Sequence, residues 1–242
     1  RRYLLGRETN GLMNYPFRNA LIAYLLGGDA AEFQLEMETL RQNYPDFAFY
    51  NAMNSLGTHD TLRILTYLGT GTQRQEWTKE QRGGYVMSGE ERRRGTALLK
   101  LGTAVLFAFP GAPTVYYGDE AAMEGWEDPF NRAGYPWEQE DTDLKAHFAE
   151  LARFRRSFPA LQAGVLHWIW TSGPLLIFAR ELDGQLLTTV VNAADVSQAL
   201  SLPWPAPPAR DLLTGQCFTP VDNAIPLTLP PRSGLLLQTD LP

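Results

Sequence analysis

Apolar residues recur at helical spacing through the earlier part of the chain and crowd into short runs in the later part. "NYPFRNALIAYLLGG" places Asn14 before a helical pattern, Pro16 in its first turn and Gly27-Gly28 at its end, so a helix capped by Asn14 is predicted. "DAAE", Asp29 to Glu32, has capping-box spacing and predicts a helix that runs to Tyr44, just before Pro45. "FAFYNAMNSL" is nearly continuous in apolar residues and reads as a buried strand, after which "TLRILTYLG" returns to helical spacing. The polar, glycine-containing stretch from Gly69 to Met87 reads as a loop. "SGEE", Ser88 to Glu91, is a second capping box, and Leu98, Leu101, Val105 and Leu106 share one face of the helix behind it. Arg92 to Arg94 read as its solvated surface. Pro110-Gly111 stops that helix, "PTVYY" predicts a strand, and a long loop covers Gly118 to Asp141. Leu144, Phe148, Leu151 and Phe154 then mark an amphipathic helix.

After Pro159 the pattern changes. "VLHWIWT", "LLIFAREL", "QLLTTVVNA", "QALSL", "RDLLTG" and "SGLLLQTDL" are short strand-like runs separated by Gly, Pro, Asn and Asp, as in an antiparallel sandwich. A boundary between Pro159 and Gly164 divides the chain into residues 1–160 and 161–242. In the first part, strands at Gly11 to Asn14, Phe47 to Ser55 and Pro113 to Tyr117 each precede a helix, the order of a parallel α/β sheet. The fold class expected is a partial (β/α)8 barrel, about three of its eight units, followed by an all-β carboxyl-terminal sandwich.

Composition narrows the function classes. The 242 residues carry a net charge of -6, which gives no electrostatic reason to expect nucleic acid or an anionic membrane as partner. No run approaches a membrane span. Cys217 is the lone cysteine, so an intrachain disulfide and a multi-cysteine zinc site are both excluded, and the setting leans towards a reducing, cytoplasmic one. The chain begins without methionine and without the apolar core of a signal peptide, so it reads as a piece of a longer protein.

The candidate chemistry lies in loops that follow strands. His59 and Asp60, in "NSLGTHDTLRIL", stand at a strand's carboxyl end, where a βα barrel carries its reactive groups. By spacing alone, Asp60 equally suits a helix cap before Thr61. A metal at His59 is disfavoured because no second histidine is near, and His147 and His167 read as structural or exposed. Asp119-Glu120 reads as a cap on a short helix. Asp128 and Arg132, four apart beside Trp126 and Phe130, suit either a hydroxyl-rich ligand or a salt bridge that braces the loop. There is no GxSxG, Walker or glycine-rich dinucleotide motif, and no cofactor or metal is called for.

"MNYPFRNAL", "NSLGTHDTLRIL", "PGAPTVYYGDEAAMEG", "DPFNRAGYPWE" and "LLTG" occur in an order that resembles the α-amylase superfamily of glycoside hydrolases, nearest to the neopullulanase, cyclomaltodextrinase and maltogenic amylase group. The resemblance covers nearly the whole chain and implies barrel strands six to eight and the carboxyl-terminal β-sandwich. It implies a retaining hydrolase of α-1,4 and sometimes α-1,6 glucosidic bonds, acting on an α-glucan or maltooligosaccharide. Asp60 matches the aspartate that stabilises the transition state, His59 a sugar-binding partner, and Asp128 and Arg132 a DPxxR loop that contacts sugars. The nucleophile after strand four and the acid/base after strand five have no counterpart here. Retaining hydrolysis needs two carboxylates about 5 Å apart, so the chain alone is expected to be inactive. An α-glucan transferase and a non-catalytic interaction module are the alternatives. The cut barrel edge implies a dimer, or association with the missing amino-terminal barrel portion.

Overall fold

The computed structural model describes residues 4, 8, 9, 11–71, 76–204 and 207–240. Helix α1 (Tyr15–Leu25) is capped by the Asn14 side chain, which accepts from the Phe17 amide at 3.2 Å. Asp29 caps α2 (Ala30–Asn43) through the amide of Ala31 rather than that of Glu32. The same carboxylate accepts from Gly173 at 2.8 Å and so ties α2 to a later hairpin.

Phe47 to Ser55 is not one strand. Asp46–Tyr50 forms helix α3, and only Met53–Ser55 is extended, as β1. Ala48 and Phe49 are buried while Phe47 is exposed, a helical arrangement that a short continuous apolar run cannot reveal. Helix α4 (Ile64–Thr70) starts at Arg63, three residues later than Asp60 would have capped it, and ends at Gly71 with φ of 72°. The predicted loop from Gly69 to Met87 contains helix α5 (Lys79–Gly83), which has its own capping box from Thr78 and Gln81. Residues 72–75 of that stretch lie outside the described residues. The Ser88–Glu91 box starts α6 (Gly89–Ala108) as expected. From Leu101 onward every α6 residue is buried, so the single apolar face was too narrow a reading. The strand expected at Pro113 to Tyr117 is β2 (Ala112–Thr114), and Gly11 to Asn14 contributes a single parallel bridge, Met13 to Met53. Strands β1 and β2 pair in parallel, with Asn54 opposite Pro113. The Asn54 side chain spans this ladder, accepting from Asn14 at 2.9 Å and donating to the Pro110 carbonyl at 2.7 Å.

Helix α7 (Thr142–Ser157) buries Leu144, Phe148, Leu151 and Phe154, and α8 (Pro159–Ala163) leads into the antiparallel part. There β3 (Val165–Ser172), β4 (Leu175–Leu182), β5 (Gln185–Asn192), β6 (Gln198–Pro203), β7 (Ala209–Asp211), β8 (Cys217–Phe218), β9 (Ala224–Leu229) and β10 (Ser233–Asp240) form two sheets. The larger has the order β3-β4-β5-β10-β7-β8, and β6 pairs with β9. The sequence patterns did not reveal β8 or β9. Pro226 lies within β9 and demotes the run, yet Ile225, Leu227 and Leu229 alternate inward in a sheet of two edge strands.

The larger sheet is apolar on both faces. Leu175, Ile177, Val190 and Leu237 pack with Trp204, Ile225 and Leu227 from the smaller-sheet side. Leu176, Phe178, Leu187, Val191 and Leu236 join the core built by α1, α2, α4, α6 and α7. Phe109 is the hub of this second core. Its ring lies 5.3 Å from Phe17, 5.6 Å from Phe33, 5.8 Å from Trp168 and 5.6 Å from Phe178. Two arginines end α6 beside it. Arg155 donates to the carbonyls of Phe107, Phe109 and Gly111, and Arg180 to those of Ala108, Leu161 and Gly164. They satisfy carbonyls that a helix end leaves open. Burial pushes both guanidinium groups down to about 10.

Phe109→Ala should lower the unfolding free energy by about 3–5 kcal/mol in a denaturant titration, the range for a buried aromatic whose cavity cannot collapse. A loss under about 1 kcal/mol would mean that the two layers do not depend on this ring.

Candidate functional site

Three chain segments end together at the carboxyl side of the parallel ladder. Tyr15 and Arg18 follow Met13, the turn Leu56 to Asp60 follows β1, and Tyr116 and Tyr117 follow β2. The turn is buried up to Thr58, and then His59 and Asp60 emerge, each with more than half of its side chain exposed. His59 Nε2 lies 3.3 Å from Asp60 Oδ1. The Tyr15 hydroxyl is 3.4 Å from Asp60 Oδ2 and the same distance from Thr58 Oγ1. Because α4 begins at Ile64, Asp60 caps no helix, and its carboxylate is left facing outward. Asp119 and Glu120 cap none either; they lie in a turn, where Glu120 accepts from the Gly118 amide at 2.9 Å.

The turn rests on buried charge. The Arg18 Nε donates to the Leu56 carbonyl at 2.7 Å. Arg63, 1% exposed, lies with its guanidinium 4.6 Å from the ring centres of both Tyr116 and Tyr117 and donates to the Tyr117 carbonyl. Its partner Asp119 is 3.6 Å away and equally buried. Burial pushes the Asp119 carboxyl up to about 7; Arg63 opposes that rise and Glu120 adds to it. A side chain at Gly57 would put its Cβ 2.1 Å from Asp119 Oδ2, so the glycine of "GTHD" is a matter of space.

The second loop comes in over the first. Asn131 and Arg132 lie in a 3-10 turn, Phe130–Arg132. Asn131 Nδ2 donates to the carbonyls of His59 at 2.9 Å and Thr61 at 2.8 Å, and Arg132 donates to His59 at 3.1 Å. Arg132 is also 3.5 Å from Asp128, with both side chains substantially exposed. His59, Asp60, Asp128 and Arg132 are therefore grouped at one surface. The bracing pair that the spacing allowed does form, and its outer side stays open. Trp126 is not at that surface; it is buried between Trp77 and Tyr85, 5.5 and 5.7 Å away. His147 bonds to Lys100 and Thr103, and His167 lies 3.1 Å from Glu181, both remote from the group. Among the described residues no cluster of three His, Cys, Asp or Glu side chains could hold a metal. Nor is any described helix long and apolar enough to cross a membrane.

The profile of the family described as Maltogenic Amylase, C-terminal domain, matches residues 172–235. The chain is 30% identical over 98% of its length to an amylopullulanase of Thermoanaerobacter thermohydrosulfuricus, of which it covers 17%. It is 30% identical over 97% of its length to neopullulanase 2 of Thermoactinomyces vulgaris, of which it covers 38%. The relatives that the chain matches, amylopullulanase, neopullulanase, cyclomaltodextrinase and maltogenic α-amylase, are enzymes of the α-amylase family. Within the superfamily, a crystal structure of the Nostoc punctiforme debranching enzyme superposes on 99% of the chain with a TM-score of 0.75 and 26% identity, and the chain covers 48% of it. The chain thus spans less than half the length of these relatives. Its antiparallel part accords with the carboxyl-terminal β-domain of the superfamily.

Of the residues that support the turn, the sequence reading did not single out Asn131 or Arg63, and it took Asp119 for a helix cap. Arg63 was the legible one, being a lone charge inside the apolar run "TLRIL". Asn131 sits between Asp128 and Arg132 and carries no charge to mark it.

The raised Asp119 fixes the sign of a pH effect. In the folded chain this carboxyl holds its proton up to about pH 7, whereas unfolded it would release it near 3.8. The folded state therefore binds more protons in that window, and this group's contribution to stability is full below about pH 4 and falls as pH rises to about 7. Asp119→Asn should reduce the fall of unfolding free energy between pH 4 and pH 7, measured by denaturant titration. An unchanged slope would show that Asp119 is ionised throughout that range.

Proposed function

We propose that the chain supplies barrel strands six to eight and the carboxyl-terminal β-sandwich of a retaining α-glucan hydrolase. Residues 1–160 form the barrel part and 161–242 the sandwich. The parallel order of Met13, β1 and β2, each followed by helix, supports the barrel part. The family match at 172–235 supports the sandwich. The observation that carries the reading is the His59–Asp60 pair, exposed at the carboxyl end of the ladder and held against the loop of Asp128 and Arg132.

In this reading Asp60 binds the hydroxyls of the sugar at the cleavage subsite, and His59 donates to the same sugar. Both contacts strengthen as positive charge develops on the ring, which is what lowers the barrier. Arg132 and Asp128 bind hydroxyls of a neighbouring sugar. The nucleophile and the acid/base come from barrel strands outside this chain, so hydrolysis requires the amino-terminal barrel portion. Leu12, Met13, Met53, Val115 and Tyr117 are exposed along the ladder and just past its strands, and the missing strands would cover them.

The purified chain should not cleave maltooligosaccharides, and adding the amino-terminal portion should form a complex by light scattering and restore cleavage. Cleavage by the chain alone, free of contaminating amylase, would overturn the assignment of roles. In the assembled hydrolase, Asp60→Asn should reduce kcat by about 10²–10³, the usual cost of one transition-state electrostatic contact. Near-normal turnover of a folded Asn variant would remove Asp60 from the mechanism.

A further inference from the structure

We propose that Asn131 is the positioning residue of the His59–Asp60 turn, an inference that rests on the reading of that turn as sugar-binding. The Asp60 carboxylate is held loosely. It projects more than half exposed, and among the described residues its polar neighbours are the Tyr15 hydroxyl at 3.4 Å and His59 at 3.3 Å. Where it points is therefore set by its backbone. The Asp60 amide donates to Thr58 Oγ1 at 3.3 Å, and the carbonyls on either side, of His59 and Thr61, both accept from Asn131 Nδ2. A side-chain amide has two N–H donors, and here both are spent on the two residues that flank Asp60.

The rest of the geometry makes this clamp specific. Asn131 is wholly buried, and the Tyr116 hydroxyl donates to its main-chain carbonyl at 3.3 Å, so the segment after β2 holds its backbone in turn. Reversing the amide would set Oδ1 against two carbonyl oxygens, so only one orientation is compatible with the turn. Arg132 shares the His59 carbonyl, but its side chain is nearly half exposed and reaches Thr61 with no bond. Aspartate has the shape of asparagine without the donors and would repel both carbonyls. Alanine removes the donors without adding charge.

The test uses isotope-labelled chain and nuclear magnetic resonance. In the native chain, the Asn131 side-chain amide hydrogens should exchange slowly and show couplings across hydrogen bonds to the carbonyl carbons of His59 and Thr61. Absence of both couplings overturns the proposal whether or not any variant folds. In Asn131→Ala and Asn131→Asp, the amides of His59 to Thr61 and the His59 imidazole should shift, with turn amide exchange at least about tenfold faster. The imidazole signals of His147 and His167, remote from the clamp, should stay in place. Unmoved turn signals overturn the proposal, as does a common shift of all three histidines, which marks a general structural role. In the assembled hydrolase, Asn131→Ala should lower kcat by about 10² with KM nearly unchanged, the scale of a small misplacement of a reacting group. If the native assembly shows no glucan cleavage, the functional reading fails, while the resonance result still decides the clamp.

Discussion

Leu176 and Phe178 point to one side of β4, Leu175 and Ile177 to the other, and neither side can be left in water. Each buried side chain of this size is worth roughly 1.5–3 kcal/mol, so the six-stranded sheet must be a middle layer. The smaller sheet of β6 and β9 covers one face and the helices of the earlier part cover the other. The chain changes texture after Pro159, yet its main core runs straight across that point, through Phe109, Trp168 and Phe178. The parallel ladder has only a few paired residues of its own. It is held in place from behind, by helices that are themselves anchored on the sheet.

Buried arginines complete this anchoring. Arg18, Arg63, Arg155 and Arg180 all donate to main-chain carbonyls where strands or helices end, and three of the four do so around the ladder or its site. A guanidinium offers five donors in a fixed plane, so one side chain gathers several carbonyls that would otherwise be buried without partners. The cost is a buried charge, visible in the lowered values of Arg18, Arg155 and Arg180. At Arg63 a carboxylate shares that burial, and it is this pair that underlies the site turn.

The site itself separates stiffness from exposure. Asn54 to Thr58 are packed, Gly57 has no room for a side chain, and the carbonyls around Asp60 are held by Asn131. The carboxylate and imidazole that extend beyond this frame are free on their outer side. Such an arrangement keeps the two side chains accessible while the backbone beneath them is held firmly.

Local patterns in the sequence were enough for the helix caps at Asn14, Asp29 and Ser88, for the buried stripe of α7 and for most strands of the antiparallel part. They also placed His59, Asp60, Asp128 and Arg132 in loops that follow strands, as candidates. These features are legible because capping and periodicity are decided within a few residues. The division of Phe47 to Ser55 into helix and strand was not legible, since a run buried on all sides carries no period. Nor was the choice between Asp60 as cap and Asp60 as outward carboxylate, which depends on where α4 starts. That start is fixed by Arg63, whose amide bonds to Gly125 and whose side chain lies against Tyr116 and Tyr117, more than fifty residues away. Asn131 is the same case, as its two bonds reach back about seventy residues. Residue order sets which side chains are available and where the chain turns. Which of them meet is set by long-range packing, because the bonds that place the turn run between segments that no local pattern connects.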